Sequence, residues 1–155
     1  MMKKLKKVSE NSDNSGMPHS GYKGIILTVF KSKGEKTMAK ALNPRDIYND
    51  FVDGVGILSQ SNPDFMAKFI DIDSSCGGEV LSPKTKELIG VAIGLYNRCQ
   101  YCICVHTRGA YQAGATREEI LAAAEVAIAF GGGPSVAYSA GLLTAALDEF
   151  EHDFD

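Results

Sequence analysis

The chain has 155 residues, of which 45% are hydrophobic and 23% charged, and it contains no tryptophan. This length and composition fit one soluble globular domain and exclude a disordered, collagen-like or multi-span membrane chain. The net charge of −3 argues against a nucleic-acid-binding surface covering the molecule. No apolar run approaches the roughly 18 residues that a bilayer span needs. We therefore expect a soluble protein with no nucleic-acid or membrane partner.

The basic residues are concentrated in the first part of the chain. Residues 1–40 carry nine lysines against three acidic residues, whereas the remaining 115 carry seven basic against sixteen acidic residues. The first 24 residues are polar and lack periodicity, which is typical of a disordered tail. We predict that residues 1–40 are disordered or an over-extended N-terminus, with Met38 as the native start. The apolar patch at residues 25–30 is short and far from the start for a signal peptide, which favours a cytoplasmic location.

Helix-start signals recur from residue 43 onward. Proline follows a capping-type residue four times, a pattern typical of the first helical position: Asn43-Pro44, Asn62-Pro63, Ser82-Pro83 and Gly133-Pro134. Thr116 and Glu119 have the spacing of a capping box, and Gly114 and Gly131 lie where helices are expected to end. These signals divide the chain into short helices.

Apolar residues between these signals recur with helical spacing. Five stripes are predicted to face the core: Ile47, Phe51, Val52, Val55; Phe65, Met66, Phe69, Ile70; Leu88, Ile89, Ala92, Ile93, Tyr96; Ile120, Leu121, Ala124, Ala127, Ile128; and Val136, Ala140, Leu143, Leu147. No segment alternates as a strand does. The sequence predicts an all-α domain of about six short helices over residues 41–150, followed by an acidic tail, residues 151–155. Self-association would bury the surplus apolar faces.

Three of the four cysteines fall within six positions, together with a histidine. On a helix running from about residue 99 to 113, Cys99, Cys102 and His106 share one face, because successive residues turn by about 100°. The first turn of a helix favours a thiolate, and a nearby imidazole can accept the thiol proton. Glu87 on the preceding helix could orient His106. The set predicts a redox dithiol site.

Other interpretations of these residues stay open. The Cys-x-x-Cys spacing arises by chance in helical proteins, and Cys99, Cys102 and His106 could also supply three zinc ligands. A structural zinc site usually has a second ligand pair, and none follows, so we expect no metal and no cofactor. We expect Cys104 to be a buried small apolar residue and Cys76 to be a loop thiol.

The spacing Glu, eleven residues, Cys-x-x-Cys-x-x-x-His resembles that of the AhpD-like alkylhydroperoxidases of the carboxymuconolactone decarboxylase superfamily. Glu87, Cys99, Cys102 and His106 match it without a gap. The flanking segments are also similar to that family: residues 81–87, 106–116 and 131–134. The resemblance covers roughly residues 45–147.

The resemblance implies an all-helical homo-oligomer, a trimer or hexamer, with each site near a subunit interface. It implies that Cys102 is the peroxidatic nucleophile, activated through His106 and Glu87, and that Cys99 is the resolving thiol that meets a small or protein-bound dithiol reductant. Helix position alone favours Cys99 as the thiolate. The best-known peroxidases of the group carry a second histidine between the cysteines, where this sequence has Tyr101.

We therefore expect a thiol-dependent peroxidase that reduces alkyl hydroperoxides. A disulfide reductase would use the same four residues. A non-redox lactone decarboxylase would use Glu87 and His106 as an acid–base pair, although such decarboxylases lack the paired cysteines. A structural zinc or interaction module is the remaining alternative.

Overall fold

The computed structural model describes residues 43–155, which form helices and no β-strand. In chain order the elements are α1 (Pro44–Ser61), α2 (Pro63–Ser75), α3 (Pro83–Asn97), α4 (Gln100–Gln112), α5 (Arg117–Tyr138), a π-helical turn (Ser139–Leu143) and α6 (Thr144–Phe150). The all-α prediction is confirmed. The predictions for residues 1–40, including the apolar patch and the start at Met38, lie outside the described residues.

Side-chain caps define where most helices begin. Asn43, Asn62 and Ser82 each precede a proline and accept a hydrogen bond from a backbone N–H of the first turn. Thr116 and Glu119 form the predicted capping box at the start of α5, each side chain bonded to the other residue's backbone N–H. The capping residues satisfy N–H groups that have no partner inside the helix.

The break near the end of α5 lies one residue later than predicted. Gly131 was the expected helix end, but the non-helical residue is Gly132, with φ +61° and ψ −146°. The chain continues as a helix on both sides, so Pro134 lies just after a kink instead of at a separate helix start. A side chain at Gly132 would be strained, because this backbone region is essentially restricted to glycine.

The core lies where α3, α4, α5 and α6 meet. Helix α3 packs along both α4 and α5, while α1 and α6 cover the opposite side of α4. The largest fully buried apolar side chains come from these four helices and the π-helical turn: Val91, Leu95, Ile103, Ile120, Leu143, Leu147 and Phe150. Helix α4, which carries Cys102 and His106, is therefore held from several sides.

The predicted apolar stripes are only partly buried. On α2 only Met66 is buried, whereas Phe65, Phe69 and Ile70 are more than half exposed in this chain. On α1, Ile47 is buried, but Phe51 and Val52 are exposed. The prediction that these stripes face the core of the chain is wrong for α2 and for parts of α1 and α3. On α3, Ile89, Ile93 and Tyr96 are exposed, whereas the fully buried residues are Val91 and Leu95, which the predicted stripe omits. Apolar residues lie around most of α3, so their spacing does not single out the buried face.

The segment Arg117–Phe150 is long and apolar enough to cross a membrane by length and composition, although no run of that kind was expected. A core helix of a soluble protein meets the same criteria. The segment bends at Gly132 and contributes Ile120, Leu143 and Leu147 to the core, as a core helix does. Only 22% of its most apolar window is buried within this chain.

The acidic C-terminus packs against the helical domain through Asp153. Its carboxylate accepts hydrogen bonds from Arg45 Nη2 at 2.6 Å and from Arg108 Nε at 2.9 Å. Arg108 also lies over the rings of Tyr48 and Phe154. These contacts connect the start of α1, the middle of α4 and the end of the chain.

Candidate active site

The turn between α3 and α4 places the Cys-x-x-Cys segment. Arg98 adopts a left-handed conformation, with φ 58° and ψ 34°, and ends α3. The N–H of Cys99 donates to Gly94 O at 2.9 Å and that of Arg98 to Leu95 O at 3.3 Å, which together make a Schellman motif. The chain therefore turns at Arg98, just before the predicted helix start near residue 99, and α4 returns along α3.

Cys99 is the N-cap of α4. Its sulfur accepts a hydrogen bond from the backbone N–H of Cys102 at 3.2 Å, in the place that a serine or aspartate oxygen usually takes. A disulfide joins Cys99 and Cys102, whose Cα atoms are 5.3 Å apart. That separation is typical of disulfides. Both sulfur atoms lie at a helix N-terminus. In the reduced protein, the N–H groups and the helix dipole there favour negative charge on sulfur.

Glu87 and His106 form a hydrogen-bonded pair between α3 and α4. His106 Nδ1 lies 2.8 Å from Glu87 Oε2, and each side chain is 32% exposed. An ionised carboxylate oxygen can only accept a hydrogen bond. Nδ1 of His106 therefore carries a hydrogen and donates a hydrogen bond to Glu87. In the neutral ring this leaves Nε2 as an acceptor, the arrangement that a general base needs.

A cleft of about 220 Å³ opens beside this pair. Its lining combines apolar, charged and thiol side chains: Asp73, Cys76, Leu81, Lys86, Glu87, Ile89, Gly90, Ile93 and His106. Neither Cys99 nor Cys102 belongs to this lining. The acid–base pair thus faces a volume that could hold a small organic molecule, while the dithiol lies outside that lining.

Three glycines line the crossing of α3 and α4, and none of them is among the site residues predicted from the sequence. A Cβ built on Gly90 would lie 2.5 Å from His106 Cγ, and one on Gly109 would lie 2.5 Å from Glu87 Oε2. A Cβ on Gly94 would meet Cys102 Cβ at 3.1 Å and the Ile103 nitrogen at 3.2 Å. The signal in the sequence was glycine inside predicted helices, with Gly90 and Gly94 four residues apart on one face.

The two other cysteines occupy different places. Cys104 is fully buried on the core side of α4, and burial raises the pKa of its thiol to about 12. Cys76 caps the end of α2, is exposed and lines the cleft. Within residues 43–155, no three His, Cys, Asp or Glu side chains converge as metal ligands do.

Comparison with known protein families decides where this fold belongs. The model of the carboxymuconolactone decarboxylase family matches residues 63–145, a range that contains Glu87, Cys99, Cys102 and His106. The chain belongs to the carboxymuconolactone decarboxylase family. This confirms the AhpD-like resemblance seen in the sequence, while α1 lies outside the match.

Curated proteins similar to this chain come from two bacteria. An uncharacterized protein encoded in the cox locus of Paracoccus denitrificans is 39% identical over 71 residues, which is 46% of this chain and 63% of that protein. An uncharacterized protein of Cupriavidus necator is 33% identical over 85 residues, covering 54% of this chain and 75% of the relative. The match therefore spans less than two thirds of the Paracoccus protein.

A solved structure shares the fold. The apo crystal structure of a carboxymuconolactone decarboxylase family protein from Legionella pneumophila is 32% identical to this chain, with a TM-score of 0.61. The match covers 70% of this chain and 94% of the Legionella protein. The helical arrangement around Glu87, Cys99, Cys102 and His106 is thus that of a family domain.

Proposed function

We propose that this protein is a thiol-dependent peroxidase that reduces alkyl hydroperoxides through Cys99 and Cys102. The observation that carries the proposal is the pairing of a Cys99–Cys102 disulfide at the N-terminus of α4 with a Glu87-oriented His106 one turn further along that helix. Family membership supports this because AhpD-like members share the same four-residue spacing.

The proposed cycle begins with the reduced dithiol. His106 Nε2 accepts the Cys102 thiol proton, and the thiolate attacks the terminal oxygen of the hydroperoxide. The O–O bond breaks, Cys102 becomes a sulfenic acid, and the alkoxide leaves as an alcohol after taking the proton from His106. Cys99 then attacks the sulfenic sulfur, releasing water and forming the disulfide. A small or protein-bound dithiol reduces this disulfide and is itself oxidised.

Glu87 serves this cycle by orienting the imidazole. Its carboxylate holds the Nδ1 proton, so Nε2 is the nitrogen available to the thiol, and it stabilises the imidazolium formed when the proton arrives. Cys102 and His106 are four residues apart, so their side chains lie on one face of α4. The pair therefore supplies both the base and its orientation.

A disulfide reductase is the second candidate, favoured by the position of Cys99. The Cys102 N–H donates to the Cys99 sulfur at 3.2 Å, so negative charge on that sulfur is stabilised. A thiolate held at a helix N-terminus is suited to exchange with an external disulfide. A cytoplasmic location would suit both redox candidates, since the cytosol keeps thiols reduced.

A non-redox decarboxylase is the third candidate, favoured by the cleft. Glu87 and His106 line it whereas the two cysteines do not, as expected if a lactone binds beside an acid–base pair. The cysteines would then be dispensable for turnover.

Turnover measurements separate the three candidates. Consumption of cumene hydroperoxide is followed with dithiothreitol as reductant, for the wild-type protein, Cys102→Ser and Cys104→Ala. Cys104→Ala is the matched control because it removes a thiol from the same helix on its buried side. If the protein is a peroxidase, only Cys102→Ser should lose the consumption of cumene hydroperoxide. Reduction of a small disulfide without peroxide consumption would favour the second candidate, and lactone turnover by Cys102→Ser the third.

A further inference from the structure

Two helix-interior glycines face the Glu87–His106 pair from opposite sides. Gly90 on α3 lies against the His106 ring, where a Cβ would approach Cγ to 2.5 Å and Nδ1 to 2.6 Å. Gly109 on α4 lies against Glu87, where a Cβ would approach Oε2 to 2.5 Å and Cδ to 2.7 Å. The His106 ring thus occupies the space that a side chain at position 90 would take. The Glu87 carboxylate occupies the space that a side chain at position 109 would take.

At these separations a side chain fits only if His106 or Glu87 shifts. Real Cβ atoms essentially never approach a heavy atom more closely than 3.0 Å. For both positions, the three nearest heavy atoms belong entirely to His106 or entirely to Glu87. Alanine is a better helix former than glycine, so glycine inside α3 and α4 weakens each helix unless its small size is needed.

Gly94 shows what a packing glycine looks like in the same crossing. The nearest atoms to its absent Cβ include the backbone of Ile103 and of Cys102, at 3.2 and 3.3 Å respectively. A side chain there would push α3 and α4 apart. At Gly90 and Gly109, by contrast, a side chain would displace the imidazole or the carboxylate first.

We propose that Gly90 and Gly109 are positioning residues that hold His106 Nδ1 on Glu87. Filling either space releases the hydrogen bond without removing an ionisable group, so the ring is no longer held with Nδ1 on the carboxylate. The effect on catalysis rests on the proposed peroxidase cycle, whereas the effect on the hydrogen bond does not. Gly109→Ala should therefore act as Glu87→Ala does.

The first test needs no turnover. In the oxidised, disulfide-bonded protein, the His106 imidazole is observed by ¹⁵N–¹H NMR and assigned with His106→Gln. The wild-type protein and Gly54→Ala should show a slowly exchanging Nδ1 proton. Gly109→Ala and Gly90→Ala should lose it while keeping a native helical circular dichroism spectrum. Gly54→Ala is the matched control, because its new Cβ on α1 meets nothing within 4 Å.

The second test is a double-mutant cycle on the rate of hydroperoxide-driven disulfide formation. Gly109→Ala and Glu87→Ala should each slow the reaction by a similar factor, on the order of ten-fold or more. The double variant should be no slower than either single variant, because both changes remove the same interaction. If Gly109→Ala caused a purely structural defect instead, its rate loss would multiply with the rate loss caused by removing Glu87.

Several results would overturn the inference. These are an Nδ1 proton retained in Gly109→Ala and Gly90→Ala, or rate losses that multiply in the double variant. If both glycine variants fail to fold while Glu87→Ala folds, the glycines are packing residues and the inference is wrong. If the wild-type protein is inert to hydroperoxide but both glycine variants still lose the Nδ1 proton, the proposed function is overturned and the positioning role is supported.

Discussion

The four cysteines differ in how accessible they are. Cys104 is fully buried with its thiol pKa raised to about 12, whereas Cys76 is exposed at the end of α2. Alkylation requires an accessible thiolate. The burial of Cys104 was expected from its position on α4, opposite Cys102. The helix geometry thus separates one inert thiol from the three that can react.

Alkylation of the reduced protein should follow this division. At neutral pH, iodoacetamide should modify Cys76, Cys99 and Cys102 in the folded chain, and Cys104 only after denaturation. Peptide mass spectrometry at successive times measures each site. Modification of Cys104 as fast as Cys76 in the folded protein would contradict the buried position of that thiol.

At this scale the sequence indicates which candidate residues are neighbours but not what surrounds them. Spacing alone places Cys99, Cys102 and His106 on one helix face, since that geometry is local. The Glu87–His106 contact needs the angle between two helices, which only the Schellman turn at Arg98 determines. The glycines at 90 and 109 act through that crossing, so no local pattern indicated what they face.

Among the helices, α5 contains the clearest conformational constraint. At φ +61° and ψ −146°, Gly132 lies in a region that other residues almost never adopt. Gly132→Ala should lower the free energy of unfolding by about 1–3 kcal/mol. Chemical denaturation measures this, with Gly54→Ala as the control, since that change fills open space and favours α1. Equal midpoints for Gly132→Ala and the wild-type protein would contradict the kink.

The contact of Asp153 with α1 and α4 is the second constraint between elements. Hydrogen bonds from Arg45, and secondarily from Arg108, hold the pKa of the Asp153 carboxyl below its ordinary value of 3.8. A carboxyl whose pKa is lowered on folding stabilises the folded state above that ordinary value. The stabilisation is then lost as the pH falls through the lower folded-state pKa.

Replacing Asp153 should remove this stabilisation at neutral pH. Asp153→Asn should cost roughly 1–2 kcal/mol at pH 7 because Arg45 and Arg108 lose their shared partner. The difference from the wild-type protein should shrink below pH 4. Asp155→Asn is the control, since Asp155 pairs with the exposed His152 and its loss should change stability by less than about 0.5 kcal/mol. A difference independent of pH would contradict the ion-pair account.

Helix boundaries were predictable because caps are local signals. Asn43, Asn62, Ser82 and Thr116 begin helices as expected, whereas the end at Gly131 was displaced to Gly132. Either glycine can follow a helix, and packing of the following segment decides which one bends. The exposed stripes on α1 and α2 show the complementary limit: periodicity indicates an apolar face but not what covers it.

Across the whole molecule, the described chain leaves many large apolar side chains uncovered. Phe130 is 81% exposed, Phe65 63% and Phe69 57%. Phe130 also borders an open apolar groove of about 330 Å³ between α3 and α5, with Tyr96 on the opposite helix. Exposed apolar side chains are often covered in protein–protein interfaces, so we propose self-association, as the trimer or hexamer that the family resemblance implies.

Sedimentation velocity tests this proposal. The wild-type protein should sediment as a trimer or hexamer at micromolar concentration, and Phe130→Ser or Phe69→Ser should shift at least one equilibrium toward smaller species. The reason is that each change removes apolar area that a neighbouring subunit would cover. A wild-type protein that stays monomeric at all concentrations would contradict self-association.

The central claim is that Cys99 and Cys102 form a redox dithiol that a peroxide oxidises. This claim has a direct test. Reduced, chelator-treated protein is mixed with one equivalent of an organic hydroperoxide, and intact and peptide masses are measured before and after. The account predicts the loss of two hydrogens, mapped to a Cys99–Cys102 bridge and absent in Cys102→Ser. Survival of both thiols through the pulse would contradict it.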